Sequence, residues 1–139
     1  MTAEAQPAPS IAEIEEVGRL KMPPSASEVE AYVDLQGIDD IVIVRFKLSP
    51  DELGAFLSEA GYPEPPRLVE RLTSIPGWAM GFDGVLPGWP DEDEWRRLLE
   101  DPAHTLLATE VSEADFYRSV VVDTGDPELY TIYLRHNDL

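Results

Sequence analysis

The sequence predicts an α+β domain: an antiparallel sheet of about five strands, with one well-capped helix packed on one face and an irregular insert rich in Gly, Pro and Trp. Two observations indicate this class. Segments with strand patterning lie in both halves of the chain, and a helix with strong start signals at Ser49 follows the first two of them. The expected strands cover residues 29–36, 41–48, 105–111, 116–123 and 129–135.

Composition limits the class of protein and its partners. The chain has 139 residues, and 28 acidic against 10 basic side chains give a formal net charge of −18. This length corresponds to one domain, and a hydrophobic content of 43% is too high for a disordered acidic polymer. The charge argues against nucleic acid as a partner, because phosphate binding requires clustered Lys and Arg. No apolar run approaches the roughly 18–20 residues of a membrane span. The absence of Cys excludes thiolate metal sites and Cys nucleophiles.

Residues 1–18 are expected to form a flexible leader followed by a short helix, and residues 19–139 a single α+β domain. Ser10 and Glu13 have the spacing of a capping box, which predicts a helix start before Ile11. Residues 1–10 lack the basic and apolar regions of a signal peptide. The chain is therefore expected to be cytoplasmic if it is complete, and exported if a signal peptide has been removed.

A hairpin is expected next. Residues 29–36 alternate apolar and polar side chains, as a half-buried strand does, and residues 37–40 supply a turn that contains Asp39 and Asp40. Residues 41–48 have the strongest strand pattern in the chain. The apolar side chains expected on one face of this second strand are Val42, Val44, Phe46 and Leu48.

The helix after this hairpin has several start and stop signals. Ser49 is the expected N-cap, Pro50 occupies the first helical position, and Glu52 completes the spacing of a capping box. Gly61, followed by Pro63, ends the pattern. The helix presents one apolar stripe, made of Leu53, Phe56, Leu57 and Ala60.

The segment from 62 to 90 is interrupted by Pro and Gly, with a short helix expected over residues 66–74. It carries three large aromatic residues, Trp78, Phe82 and Trp89. Aromatic side chains on a loop are common anchors for a binding partner. The alternative is that these side chains attach a long loop to the core, and the sequence leaves both interpretations open.

A short helix is expected over residues 91–100, with Asp91 as its cap and Glu94 at the third position. Four consecutive acids begin it, and they match the positive end of a helix dipole better than a metal site, because neighbouring helical residues point in different directions. From Gly81 to Asp115 the chain has ten acids and two Arg. This acidic stretch would attract a basic partner, although it would also keep a small protein soluble and monomeric. The residues assigned to partner binding are Trp78, Phe82, Trp89, Asp91, Glu92 and Asp93.

No catalytic residue, cofactor or metal site is predicted. His104 and His136 are the two histidines, and neither lies in a recognisable catalytic frame such as Gly-x-Ser-x-Gly or His-Glu-x-x-His. Both are expected at the surface, His136 near a fraying end of the chain. Glycine-rich phosphate-binding loops are also absent.

Part of the chain resembles a group of small bacterial proteins without known activity, some of which are exported as lipoproteins. The similar pieces are Pro23-Pro24-Ser25-Ala26, Gly37-Ile38-Asp39-Asp40, Arg45-Phe46 and the run 53–57, together with 118–123 and 132–134 near the end. The resemblance implies no catalytic residues. Unlike the exported members, this sequence shows no signal and no lipidation Cys.

Three hypotheses about function follow. The first is a non-catalytic acidic binding domain for a protein with a basic surface, such as an immunity or inhibitor protein against a basic toxin or nuclease. The second is an accessory domain of the cell envelope. The third is a hydrolase that uses paired carboxylates. A monomer without a nucleic-acid partner is expected.

Overall fold

The fold is α+β, with one open antiparallel sheet of six strands and three helices in the described residues. The structure is a computed structural model, and it describes residues 9–35, 40–72, 75, 82 and 84–138. The strands lie in the order β1-β2-β6-β5-β4-β3. The elements in chain order are α1 (Ile11–Gly18), β1 (Ser27–Asp34), β2 (Ile41–Leu48), α2 (Pro50–Glu59), β3 (Arg67–Leu68), α3 (Glu92–Glu100), β4 (Leu106–Ser112), β5 (Phe116–Asp123) and β6 (Tyr130–Asp138).

The central strands follow the sequence closely. β2 and β5 have the predicted bounds, and β6 lies between them and pairs with both along nearly its whole length. Val44 is opposite Leu134 in β6, which in turn is opposite Val120. Residues 36–39, which contain most of the predicted hairpin turn and Asp39, lie outside the described residues.

Both faces of the sheet are covered, whereas the sequence predicted a helix on one face only. The first core cluster packs α1 and α2 on one face, with Val42, Val44, Phe46 and Leu48 of β2. The second core cluster covers the other face with α3 and the segment before it, against Ile43, Val121 and Tyr133. The reason lies in continuous apolar runs such as Val120–Val122, which place apolar side chains on both faces of a strand.

The helix caps differ from one another. The Ser10 hydroxyl accepts a hydrogen bond from the Glu13 amide at 3.1 Å, and Ile14 of α1 is fully buried in the first core cluster. Ser49 is the N-cap of α2 and Pro50 begins it, as predicted, but the Ser49 side chain makes no capping hydrogen bond. The predicted capping box of α2 is therefore wrong. Burial of Phe56 and Leu57 stabilises this helix against the sheet.

The short helix predicted over residues 66–74 is also wrong at its start. Arg67 and Leu68 form the edge strand β3 and pair with Ala108 and Leu107 of β4. Pairing with the free edge of β4 satisfies backbone groups that an isolated turn of helix would leave exposed. Beyond β3, the described residues that the segment adds to the second core cluster include Val69, Ile75, Leu86 and Trp89.

Candidate functional site

Helix α3 presents its charged side to solvent because its other side is fixed in the core. Trp95 is fully buried, and its ring meets that of Tyr133 edge to face at 5.0 Å between centroids. Asp91 caps the helix as predicted: its carboxylate accepts from the Glu94 amide at 2.8 Å, and the Glu94 carboxylate accepts from the Asp91 amide at 3.2 Å. The side chains of Glu92 and Asp93 are exposed.

The predicted partner-binding residues therefore separate into two groups. Asp91, Glu92 and Asp93 lie together at the start of α3 and reach the surface. Trp89 is only 1% exposed and packs edge to face on Tyr133, at 5.1 Å between ring centroids. Phe82 packs edge to face on Trp89 at 5.9 Å and is half-buried. These two aromatic residues attach the loop to the core, and Trp78 lies outside the described residues.

A cleft of about 450 Å³ opens beside α3, and sequence reasoning did not find it. Its walls come from two central strands, the end of β5, the loop before α3 and α3 itself. The lining residues are Arg45, Gly88, Pro90, Glu94, Arg97, Leu98, Asp101, Asp123 and Tyr133. Because these residues are far apart in sequence, no local spacing reveals them. The one available signal was Arg45, a cation within the most apolar strand of the chain.

One side of the cleft is built on an ion pair. Nη1 of Arg45 lies 3.1 Å from Oε1 of Glu30, and the backbone amide of Gly88 donates to Oε2 of Glu30 at 3.3 Å. A Cβ added at Gly88 would collide with the Glu30 carboxylate and stand 3.0 Å from Nη1 of Arg45. A larger residue at position 88 would have to displace the ends of these two side chains. Burial also raises the pKa of the neighbouring Tyr133 hydroxyl.

Asp123, which lines the cleft, also takes part in a histidine–carboxylate contact. Nδ1 of His104 lies 2.7 Å from Oδ1 of Asp123, whose side chain is 10% exposed. The same oxygen accepts from the Gly125 amide at 2.9 Å. Nε2 of His104 lies 3.8 Å from Oδ2 of Asp101. The cleft therefore contains three carboxylates, from Glu94, Asp101 and Asp123. Of its two arginines, Arg45 is already paired with Glu30.

A second polar cluster lies on the other face of the sheet, around Arg118 and His136. Arg118 is 3% exposed and His136 is fully buried. The expectation of a surface histidine is wrong for His136, because β6 continues to Asp138 and carries this residue inside the sheet. His104, with 28% of its side chain exposed, is half-buried.

The guanidinium of Arg118 connects several elements. Its Nε donates to Nδ1 of His136 at 3.3 Å, and its Nη2 donates to the carbonyls of Gly18 and Arg19 at 2.8 and 2.9 Å. Its Nη1 donates to the carbonyl of Ala60. Burial lowers the pKa of both Arg118 and His136, since each charged form loses hydration.

Comparison with known proteins identifies no relative. No family model matches the chain, and no curated protein or solved structure matches it either. In the part of the chain that the structure describes, no three or more His, Cys, Asp or Glu side chains form a group that could hold a metal ion. No helix among these residues combines the length and apolarity needed to cross a membrane.

Proposed function

We propose that this chain is a non-catalytic binding domain that recognises the basic surface of a protein partner, as an inhibitor or immunity protein of a basic toxin or nuclease would. The observation that carries the proposal is the acidic surface beside the cleft, formed by Glu92, Asp93, Glu94 and Asp101. These four residues are exposed, and they belong to one helix and the residue that follows it. Trp95 fixes that helix on the sheet.

A rigid acidic surface suits recognition of a basic partner for two physical reasons. An excess of one sign of charge speeds the encounter with the opposite charge and repels phosphate groups, and from Glu92 to Asp101 five exposed carboxylates outnumber the exposed Arg96 and Arg97. Carboxylates on a helix with a buried anchor lose little conformational entropy on binding, because the backbone that carries them is already ordered. Asp93 is partly neutralised by Arg96 at 3.1 Å, and that exposed pair contributes little stability to the free protein.

The carboxylates inside the cleft continue the acidic surface of α3 toward the sheet. Asp101 and Asp123 each have one carboxylate oxygen held by a backbone amide, from Ala103 and Gly125 respectively, both at 2.9 Å. An Arg side chain from a partner would find carboxylate acceptors here in a fixed arrangement, which favours the planar fork of a guanidinium. We expect the partner to contribute an Arg side chain to this position.

The proposal is tested by locating where a cationic probe binds. The probe is a peptide of alternating Arg and Ser, and the control peptide replaces each Arg with the neutral isostere citrulline. In an NMR titration, the Arg peptide is expected to shift the amide resonances of α3 and of Asp101, with little effect from the citrulline peptide. Shifts distributed evenly over all acidic regions would contradict a localised recognition surface.

A hydrolase that uses carboxylates is the second candidate, and the cleft is the observation that favours it. Asp101 and Asp123 both line the cleft, and Asp123 contacts a histidine that is able to accept a proton. The experiment is an activity screen with chromogenic glycosides, esters and phosphodiesters at several pH values. Turnover that disappears in Asp101→Asn but persists in the neighbouring control Glu100→Gln would support this candidate. Absence of turnover with every substrate class would leave the binding function as the better account.

A further inference from the structure

The C-terminal ends of α1 and α2 are held by one buried side chain. Arg118 donates to the carbonyls of Gly18 and Arg19 at the end of α1, and to the carbonyl of Ala60 just after α2. The last carbonyls of a helix lack partners within the helix and form the negative end of its dipole. Arg118 therefore supplies both the hydrogen bonds and the positive charge that these two helix ends require.

The guanidinium of Arg118 is held by carbonyl oxygens and not by a direct ion pair. Among the described residues, Arg118 has no ion pair within 4.0 Å. Its guanidinium carbon lies 4.9 Å from the centre of the Phe116 ring, which adds a weak attraction between cation and aromatic face. A further positive charge beside Arg118 would have Asp138 as its counter-charge, and the same Asp138 oxygen already lies 3.3 Å from Nε of Arg19.

His136 occupies that adjacent position in its neutral form. Its Nδ1 accepts the hydrogen bond from Nε of Arg118, so Nδ1 carries no proton, and its Nε2 donates to Oδ1 of Asp138 at 2.9 Å. The ring also stacks on Phe116, with 5.4 Å between the ring centres. A second proton would have to go to Nδ1, where it would meet the N–H of Arg118 instead of an acceptor.

We propose that His136 is a proton-sensitive latch: its neutral ring keeps the Arg118 guanidinium hydrogen-bonded to the carbonyls at the C-terminal ends of α1 and α2. Protonation of the ring breaks these hydrogen bonds and frees the two helix ends. This device lies on the face of the sheet opposite the cleft and does not depend on the proposed binding function. It would make the attachment of α1 and α2 sensitive to mild acid, while α3 would keep its position.

Burial favours the neutral form of His136, and the charged groups around the ring act in both directions. Arg19 follows α1, and it pairs with Asp115 at 2.8 Å and with Asp138 at 3.3 Å, so the carboxylate that contacts His136 is shared with another cation. Tyr62, after α2, has a buried hydroxyl that finds no hydrogen-bond partner among the described residues. Burial, Arg118 and Arg19 lower the pKa of His136, and Asp138 opposes them. Burial raises the pKa of Tyr62, so its hydroxyl adds no negative charge.

Hydrogen exchange of the full chain at several pH values tests the latch. The reporters are the amides of Leu20, Ala60 and Tyr62, which form the last hydrogen bonds of α1 and α2, and the control amide is that of Trp95 in α3. Protection factors, which remove the intrinsic pH dependence of exchange, are expected to fall about tenfold or more at the reporters as the pH drops below about 6.5. Trp95 is expected to keep its protection. An equal fall at all four amides would contradict a local release.

Two variants assign the effect to one histidine. Gln is able to accept from Arg118 and to donate to Asp138 without titrating near neutral pH, so His136→Gln is expected to abolish the loss of protection. His104→Gln, at the other histidine, is expected to show the same loss of protection at low pH as the unchanged protein. If His136→Gln does not fold, NMR titration of the imidazole in His104→Gln replaces it. A midpoint for His136 at or above about 6.5, or a ring protonated at Nδ1 at neutral pH, would overturn the proposal.

Discussion

Nδ1 of His104 lies 2.7 Å from Oδ1 of Asp123, and the ring of His104 lies directly against Gly125 in the loop that follows β5. A Cβ added at Gly125 would overlap Nδ1 of that ring. The backbone at Gly125 is not in the left-handed region, so glycine is needed here for space and not for its dihedral angles. Because of this close approach, the loop that follows β5 holds both His104 and Asp123 in place beside the cleft.

Gly125→Ala is therefore expected to displace His104 and weaken its contact with Asp123. Overpacking at a site with little room to relax costs about 1–3 kcal/mol, which chemical denaturation measures. Gly84→Ala is the matched control, because a Cβ at Gly84 meets nothing within 4 Å. Equal stability of the two variants would show that His104 moves aside without cost.

Replacement of Arg118 tests its role at the ends of two helices. Arg118→Met keeps much of the volume but leaves the carbonyls of Gly18, Arg19 and Ala60 without their donor, and we expect a loss of about 3–5 kcal/mol in the free energy of unfolding. Arg118→Lys keeps the charge but has no fork of donors, so it is expected to restore less than half of this loss. Full stability in the Lys variant would show that charge alone matters. The measurement is urea denaturation at neutral pH, where His136 is expected to be neutral.

Tyr62→Phe is expected to stabilise the fold. The Tyr62 hydroxyl is buried and has no hydrogen-bond partner among the described residues. Removing a buried polar group that makes no bond recovers part of its desolvation cost, and we expect a gain of about 1 kcal/mol by thermal denaturation. A loss of stability would mean that the hydroxyl makes a contact in solution, with Arg118 as the first residue to examine.

Trp89→Ala separates the two interpretations of the aromatic loop. Because Trp89 is 1% exposed and contacts Tyr133, the variant is expected to lose about 3–5 kcal/mol of stability. If the variant still folds, its affinity for a basic partner is expected to change only to the extent that displacement of the loop disturbs the binding surface. Loss of binding with unchanged stability would instead assign Trp89 to the partner interface.

The elements predicted best from the sequence are those with local signals that agree with their packing. β2 and β5 have their predicted bounds, and α3 has the predicted cap at Asp91 with a capping box to Glu94. The predictions that failed concern features that depend on contacts between residues far apart in the sequence. β3 forms only because β4 offers a free edge, and His136 is buried only because β6 extends further than its apolar pattern.

The candidate site was predicted only in its exposed part. Asp91, Glu92 and Asp93 are adjacent in the chain, so their density of charge is visible in the sequence alone. The cleft combines Arg45, Asp123 and Tyr133 from three strands with residues of α3, and only the register of the sheet brings them together. The pairing of Arg118 with His136 likewise follows from their opposite positions in β5 and β6.

The most direct test of the acidic surface compares two double variants with the same net charge. Glu92→Lys/Asp93→Lys changes the surface of α3, and Asp51→Lys/Glu59→Lys changes exposed positions of α2 on the opposite face. Each substitution adds two charge units, so both variants carry −14 instead of −18. Differences in binding between them therefore report position and not total charge.

The measurement is the affinity for the Arg–Ser peptide by isothermal titration calorimetry at physiological salt, where charges further apart than about 8 Å are largely screened. Recognition at α3 predicts that Glu92→Lys/Asp93→Lys binds at least about tenfold more weakly than Asp51→Lys/Glu59→Lys, a difference of about 1.4 kcal/mol. Equal affinities for the two variants would show that binding follows net charge alone and would contradict the proposed recognition surface.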